Sequence, residues 1–445
     1  MSGNIDRRKF LKGAAASSAV ALAGCNAGKA STPWKKAAPV ATPRRGANEE
    51  VRVAVVGIRG RGGSHIGGYL GAPNTRVVAL CDVDENFWGP RAKMVTDAGQ
   101  PKPRLEYDLR RLLDDKDIDA ISIATPNHWH ALEGIWACQA GKDVYVEKPC
   151  SHNIFEGRQL VKAARKYKRV VQHGTQARSY GNIRHAMQLL KDGIIGDVYM
   201  ARALCYKPRG SIGYKDNQPQ PPKGVHYNTW LGPAPKKPFN ENRFHYNWHW
   251  FWDYGNGDIG NQGVHQMDIA RWGLGKTLPV RVSSMGGRYT YDDQAETPNT
   301  LTSQMQYDDG TMLVFEVRGR ETNKEWGVGI GNLFYGSKGY MAVRGTGGPF
   351  ETIVNGKPGP KGSGGGMSHY ENFIDAVRSR NTNNLSAEIE EGHLSSACCH
   401  LANVSYRLER SLAFDPEKER FVNDAEANKM LTRDYREPFV VPKKV

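Results

Sequence analysis

The sequence predicts an α/β fold, with a doubly wound parallel sheet in the first half and then an α/β domain built on a large open, mostly antiparallel sheet. Three observations carry this expectation. Between residues 51 and 146, apolar strands alternate with helical stretches in units of about 30 residues, the texture of βαβ construction. A run of glycines directly follows the first of these strands. Beyond Gly196, short β-branched runs recur without helices between them.

The N-terminus precedes that fold. Asp6-Arg7-Arg8-Lys9-Phe10-Leu11-Lys12, followed by the short apolar stretch 13–24, is a twin-arginine leader pattern, too short in its apolar part to span a bilayer. Leu22-Ala23-Gly24-Cys25 resembles a lipoprotein cleavage box, so Cys25 is the expected lipidated first residue and the lipid the only expected membrane attachment. Residues 1–24 are read as signal and 25–50 as an aperiodic Ala/Pro/Lys/Thr/Gly linker. The expected location is the periplasm. The twin-arginine route moves folded proteins, so any dinucleotide must be loaded before export.

The elements follow in order. Val51–Val56 is an apolar strand leading into glycines, with a helical stretch to Leu70 behind it. Next come a strand at 76–81, a helix at 85–98, a strand at 120–124, a helix at 128–140 and a short strand at 143–146. Together they define a Rossmann dinucleotide-binding domain over 51–174. Strands expected at 198–205, 280–285, 301–307, 311–317 and 340–343 form the sheet of a substrate and oligomerisation domain over 175–410. The aromatic, Pro- and Asn-rich stretch 207–257 is too long for a plain connection and is read as functional or as an arm. Residues 345–366 are read as a glycine-rich loop, 370–410 as helices returning to the first domain, and 411–445 as a tail.

Composition limits the function classes. A chain of 445 residues exceeds one small core, and 39% hydrophobic with 24% charged residues is a globular balance. The net charge of +15 falls to about +12 without the leader's four basic residues and Asp6. The remaining basic residues are spread rather than clustered in a module, so no nucleic-acid partner is expected. Beyond Cys25 the cysteines are Cys81, Cys138, Cys150, Cys205, Cys398 and Cys399, without ligand spacing; they read as core residues, and no metal is expected.

Gly57-Ile58-Arg59-Gly60-Arg61-Gly62-Gly63 lies between strand and helix, where glycines let the backbone approach a pyrophosphate at the helix N-terminus. Asp82 ends the second strand, twenty-five positions after Gly57. A carboxylate there accepts hydrogen bonds from the adenosine ribose and repels a 2′-phosphate, which favours NAD over NADP. Read as G-x-G-x-x-G from Gly57, the middle position is Arg59. Either Gly60 serves in a shifted turn, or the pyrophosphate lies against Arg59 or Arg61. Gly57, Arg59, Gly60, Arg61, Gly62 and Asp82 are thus expected cofactor contacts.

Further motifs occur in sequence order: Thr125-Pro126-Asn127-His128-Trp129-His130, Glu147-Lys148-Pro149, Gly260-Asn261-Gln262-Gly263-Val264-His265-Gln266-Met267-Asp268 and the tail Tyr435-Arg436-Glu437-Pro438. With these the chain from Val51 onward resembles the Gfo/Idh/MocA oxidoreductases, named for glucose–fructose oxidoreductase and inositol dehydrogenase. The resemblance implies a Rossmann domain followed by an α/β domain whose sheet often forms a dimer interface, hence a homodimer or homotetramer. It also implies that Lys148 and His265 meet the substrate beside a nicotinamide.

Lys148 would bond a substrate hydroxyl and stabilise charge on its oxygen as hydride leaves carbon. Glu147 would orient Lys148 or the cofactor. His265 is the candidate general base, with Asn261 one turn earlier. Many relatives carry aspartate at that position, and asparagine supplies no charge. Either His265 then has a less basic environment, or Asp258 or Asp268 takes over. By the same resemblance His130 and Asn127 lie near the nicotinamide and its ribose, with Thr125 beside them. Arg178, in Gly174-Thr175-Gln176-Ala177-Arg178, would reach substrate or form a salt bridge.

The run Phe244-His245-Tyr246-Asn247-Trp248-His249-Trp250-Phe251-Trp252-Asp253-Tyr254 is densely aromatic. Aromatic faces stack on sugar rings while polar neighbours bond hydroxyls, so His245, Trp248 and His249 are expected at a sugar, glycoside or cyclitol, with the rest packing. Three functions remain open: a sugar dehydrogenase or reductase, a redox-neutral NAD-dependent glycosidase or lyase, and a non-catalytic sugar-binding relative. Export without an outside dinucleotide pool gives weight to the second, though the histidine-rich signature of NAD-dependent glycosidases is missing.

Overall fold

The computed structural model describes residues 49–445; the leader, Cys25 and all but the last residues of the 25–50 linker lie outside the described residues. The first half runs β1 (Val51–Val56), α1 (Arg61–Leu70), β2 (Thr75–Cys81), α2 (Trp88–Asp97), β3 (Arg104–Glu106), α3 (Arg110–Leu113), β4 (Ala120–Ile123), α4 (Asn127–Gln139), β5 (Asp143–Val146), α5 (Ile154–Lys166), β6 (Val171–His173) and α6 (Gly181–Lys191). The second runs β7 (Val198–Cys205), α7 (Tyr227–Leu231), α8 (Gly257–Asn261), α9 (Gly263–Leu274), β8 (Arg281–Gly287), β9 (Thr300–Gln306), β10 (Met312–Arg318), β11 (Ile330–Gly336), β12 (Gly339–Arg344), β13 (Phe350–Val354), β14 (Lys357–Gly362), α10 (His369–Ser379), α11 (Ile389–Leu408), β15 (Leu412–Asp415), β16 (Arg420–Phe421) and α12 (Ala425–Lys429).

The first six strands are parallel, in the order β3-β2-β1-β4-β5-β6. β4 and β5 are buried at every position, as parallel strands covered by helices on both faces must be. The strand order reverses between β1 and β4, so a crevice opens at their carboxyl ends, beside Gly57 and Ala124. From the far end of the chain, α10 brings Phe373, Ile374, Ala376 and Val377 into the core formed around Val53, Leu80 and Tyr145.

The second sheet has ten strands in the order β14-β13-β12-β11-β7-β10-β9-β8-β15-β16. Its neighbours are antiparallel except for β7 against β10. β9 and β10 alternate buried and accessible residues, the pattern of a sheet covered on one face. Their inward residues Leu301, Met305, Leu313 and Phe315 share a core with Val264 and Met267 of α9 and Ala397 and Leu401 of α11.

Several elements differ from the sequence reading. The expected loop 345–366 contains the hairpin β13–β14, closed at Asn355-Gly356, both with positive φ, the geometry of a two-residue type I′ turn. β14 is an edge strand carrying Pro358, Pro360, Lys357 and Lys361, residues that discourage further pairing, and the same residues hid it from a propensity reading. The expected tail 411–445 is built into the fold: β15 pairs with β8, and Phe439 packs edge-on against Trp129 at 5.3 Å. The helix expected over 85–98 opens with a 3₁₀ turn before α2. The stretch 207–257 has its own core of Tyr227, Trp230, Phe239, Phe244, Phe251 and Tyr254. It docks on α4 through the Trp230 carbonyl, which accepts from Trp129 Nε1 at 2.9 Å.

Candidate active site

One cavity of about 330 Å³ runs along the carboxyl ends of β1, β2 and β4 to the aromatic segment 244–249. Its first end is made by the glycine turn. Gly57 has φ +79°, and a Cβ there would lie 2.7 Å from the backbone of Ala124. A Cβ on Gly62 would fall into the Gly57 carbonyl, so Gly62 lets α1 pack against the strand end. Gly60 faces open space and no side chain caps α1, which leaves room for a ligand against the backbone. Positions one and six of G-x-G-x-x-G are therefore filled by glycines whose side-chain space is taken. Arg59, at the middle position, extends over the Phe87 ring at 5.5 Å and also lines the cavity.

Asp82 closes this end. Its carboxylate accepts from the backbone N–H of Ile58 at 2.7 Å and of Asp84 at 2.9 Å. Burial pushes it up to about 6, against those two hydrogen bonds. Thr125 and Asn127 line the middle of the cavity; Thr125 Oγ1 donates to Glu133 at 2.6 Å, and the buried Asn127 Oδ1 has no hydrogen-bond partner among the described residues. His130 is clamped between two carbonyls, with Nδ1 2.6 Å from Pro149 O and Nε2 2.7 Å from Thr125 O. Burial lowers its pKa, and a neutral ring donates to only one of those carbonyls. Its ring also borders the cavity, so it joins the Thr125 and Pro149 turns at the site.

Glu147 is the electrostatic hub. It accepts from Arg61 Nε at 2.8 Å, Gln176 Nε2 at 2.9 Å and the Lys148 backbone N–H at 3.2 Å, with His65 Nε2 3.2 Å away. Burial alone would raise its pKa, but Arg61, His65 and Lys148 hold it well below the usual carboxylate range. Arg61 thus lines the cavity while paired with Glu147. His65 and Gln176 escaped the sequence reading because no local motif marks a partner more than 25 residues away.

Lys148 stands at the junction with the second domain. Its Nζ donates to Asn261 O at 2.9 Å and Oδ1 at 3.4 Å. Burial lowers its pKa, opposed by the Glu147 charge. Asn261 Nδ2 donates in turn to Tyr246 Oη at 3.3 Å, which also receives Arg209 Nη1 at 2.8 Å. Arg209 is itself paired with Asp258 at 2.6 Å, so that carboxylate is committed.

The aromatic segment supplies His245, Tyr246, Trp248 and His249 to the wall. His249 Nδ1 lies 2.6 Å from the Tyr246 carbonyl, which only accepts; the neutral ring therefore carries its proton there and leaves Nε2 as its basic nitrogen. Trp248 stacks on the same ring at 3.6 Å, and burial brings His249 down to about 3. His245 is turned toward Asp84 at 3.3 Å, at the glycine-turn end rather than beside Lys148. Tyr246, passed over in the sequence reading, belongs to the same aromatic run.

His265 does not line the cavity. Its ring is buried near Lys148; burial first, and the Lys148 charge second, lower its pKa to about 3, and Nδ1 has no hydrogen-bond partner among the described residues. Of its two expected fates Arg178 takes the salt bridge: it faces Asp268 at 2.8 Å, and neither residue lines the cavity, so neither is at the expected substrate position. Ser395 Oγ adds a donor to Asp268 at 2.7 Å, and Arg178 Nη2 reaches Glu391 at 3.1 Å. A fully buried carboxylate needs such partners, and they consume its lone pairs, so this pair anchors α9 to α11.

Residues 51–175 match the family described as oxidoreductase family, NAD-binding Rossmann fold, and residues 202–441 match its C-terminal alpha/beta domain, both under the Gfo/Idh/MocA heading. A glycosyl hydrolase family 109 protein from Saccharopolyspora erythraea is 33% identical over 213 residues, 44% of this chain and 45% of that protein. The chain thus aligns to less than half the length of that curated relative. Among solved structures, aldose–aldose oxidoreductase from Caulobacter crescentus, complexed with glycerol, superposes with a TM-score of 0.64 at 17% identity, over 82% of this chain and 100% of that one. The WlbA dehydrogenase from Bordetella pertussis, in complex with NADH and UDP-GlcNAcA, gives 0.63 at 19% identity, over 82% and 99%.

Proposed function

Because the chain belongs to the Gfo/Idh/MocA oxidoreductase family, we propose that it binds NAD and transfers hydride at a hydroxyl-bearing carbon of a sugar, glycoside or cyclitol. The observation that carries this reading is one continuous cavity bordered by both the glycine turn with Asp82 and the Lys148–Asn261–His249 group. The residues fit a dinucleotide: Gly60 offers open backbone, Asn127 Oδ1 lacks a partner, and Asp82 presents a carboxylate at the end of β2. When bound, the nicotinamide supplies the hydride acceptor or donor.

The chain's own residues do the rest. The Lys148 ammonium, desolvated and hydrogen-bonded to the amide oxygens of Asn261, donates to the substrate oxygen and stabilises charge there. His265, off the cavity wall, is not placed to take the hydroxyl proton; His249, which lines the cavity with Nε2 as its basic nitrogen, is the imidazole that accepts it. His249 Nε2 and Trp248 bind the sugar as hydroxyl acceptor and stacking face.

Purified protein tests the reading directly. Mass spectrometry of the small molecule released on denaturation should give NAD, and adding a suitable sugar should change nicotinamide absorbance. A second reading is favoured by the relative named for glycosyl hydrolase family 109. In it the hydroxyl is oxidised only transiently, a bond beyond it is cleaved, and glycoside disappears with no net change in absorbance. Export through the twin-arginine route, supported by Arg7-Arg8 and the apolar stretch behind them, suits a cofactor regenerated in each turnover. No bound or binding dinucleotide would refute both.

Asp82 gives a pH prediction. It ionises around pH 6 in the dinucleotide-free protein, so it is a full acceptor above that pH and loses the role below it. Dinucleotide affinity, followed by calorimetric titration, should weaken as pH falls from about 7.5 to about 5. Asp82→Asn should weaken binding about tenfold at the higher pH, the scale of a charge-assisted hydrogen bond, and flatten the dependence. A pH-independent wild type would remove Asp82 from the site.

A further inference from the structure

We propose that Glu133 reads the adenine base of the bound dinucleotide, acting as a neutral carboxylic acid that offers the base edge one donor and one acceptor. This rests on the dinucleotide reading above and goes beyond it by assigning base recognition to a named side chain.

Glu133 lies on the second turn of α4, only 4% exposed, yet it borders the cavity. Asp82, Tyr107, Leu109, Trp129 and Trp136 belong to the same cavity wall. A carboxyl between aromatic and aliphatic faces, next to the carboxylate positioned for ribose, is a compartment for a flat, nitrogen-rich ring. Ribose and base are joined covalently, so the base must lie in the compartment adjoining Asp82.

The hydrogen bonding fixes which face Glu133 presents. Thr125 Oγ1 donates to Oε2 at 2.6 Å, so Oε2 is the acceptor oxygen and the proton belongs on Oε1. The charged groups near it favour that protonated form. Asp82 and Asp108 are the carboxylates that act on it, and Arg110 is already paired with Asp108 at 2.6 Å. Burial holds the Cys81 thiol neutral, so it adds no charge beside Glu133. Burial pushes Glu133 up to about 8, with Thr125 opposing and the two aspartates adding to the rise. An ionised carboxylate would only accept, whereas the acid donates through Oε1–H and accepts through Oε2. Adenine presents the complement, an N6 amino donor beside an N7 acceptor, the edge that side-chain amides pair with bidentately.

Hypoxanthine replaces the amino donor with an oxygen acceptor and breaks that match. The test is calorimetric binding of NAD and of its hypoxanthine counterpart to the purified full-length protein. Wild type should prefer NAD by about tenfold or more, the discrimination of one bidentate pair. Glu133→Gln should keep the preference, because an amide also offers a donor and an acceptor. Glu133→Met should bring the two affinities within about twofold while the thermal transition stays cooperative. Equal affinities in the wild type, or a preference surviving Glu133→Met, overturn the assignment and leave the dinucleotide reading standing. If neither dinucleotide binds, both fall together. Should Glu133→Met fail to fold, Glu133→Leu takes its place, and equal wild-type affinities overturn the assignment without any variant.

Discussion

Replacing Lys148 with Met should lower turnover about 10²–10³-fold, the scale of losing one preorganised donor to a developing oxyanion, with the dinucleotide still bound. Methionine keeps most of the stem volume and removes the ammonium. Among the described residues Lys148 Nζ bonds to the carbonyl and side-chain oxygens of Asn261 and to no carboxylate, which leaves its charge for a substrate oxygen. In a buried site an ammonium acts at low effective dielectric, which makes its removal far more costly than at a surface. The glycine turn and Asp82 lie elsewhere along the cavity wall and stay unchanged. Dinucleotide affinity should therefore shift little, and the loss should fall on kcat. Steady-state kinetics paired with calorimetric dinucleotide binding would separate the two; unchanged kcat would remove Lys148 from the chemistry.

Gly62→Ala should damage the fold, whereas Gly60→Ala should damage only dinucleotide binding. At position 62 the new methyl group would meet the Gly57 carbonyl, a backbone atom that cannot rotate away. Relief requires α1 to move off the end of β1, an overpacking cost of about 1–3 kcal/mol or more, together with loss of the turn. At position 60 a Cβ meets nothing within 4 Å, so the fold tolerates it. The methyl group instead occupies the space through which a pyrophosphate approaches the backbone. Thermal unfolding with and without NAD distinguishes the cases. Gly62→Ala should melt several degrees lower in both conditions, and Gly60→Ala should melt normally but gain little from NAD. A Gly62→Ala protein with wild-type stability would contradict the packing described here.

The parallel half was legible because its signals are local. Val51–Val56, 76–81 and 120–124 are short apolar runs bounded by glycine or helix signals, and each becomes a strand within a residue or so of its expected bounds. β3 and β6, of three residues each, are too short for any periodicity to register. β13 and β14 were hidden by glycine and proline, although Asn355-Gly356 is a hairpin signal in its own right.

Within the site, Gly57, Asp82 and Lys148 could be read from sequence because each sits at a fixed offset from a strand end. Arg178 and Asp268 could not be assigned that way. An arginine and an aspartate ninety residues apart look the same in sequence whether they meet each other or a ligand. Burial decides it, since an enclosed carboxylate without a partner is too costly to keep.

The order of strands, helices and glycines, and the lysine and carboxylate at the strand ends, were determined by the sequence alone, because backbone geometry and hydrophobic period act over a few neighbouring residues. Tertiary structure alone decided that Glu147 gathers Arg61, His65 and Gln176, that Glu133 borders the cavity, and that Arg178 is consumed by Asp268. Those pairings depend on desolvation and on distances between residues far apart in the chain, and neither quantity exists until the two sheets and their helices have packed.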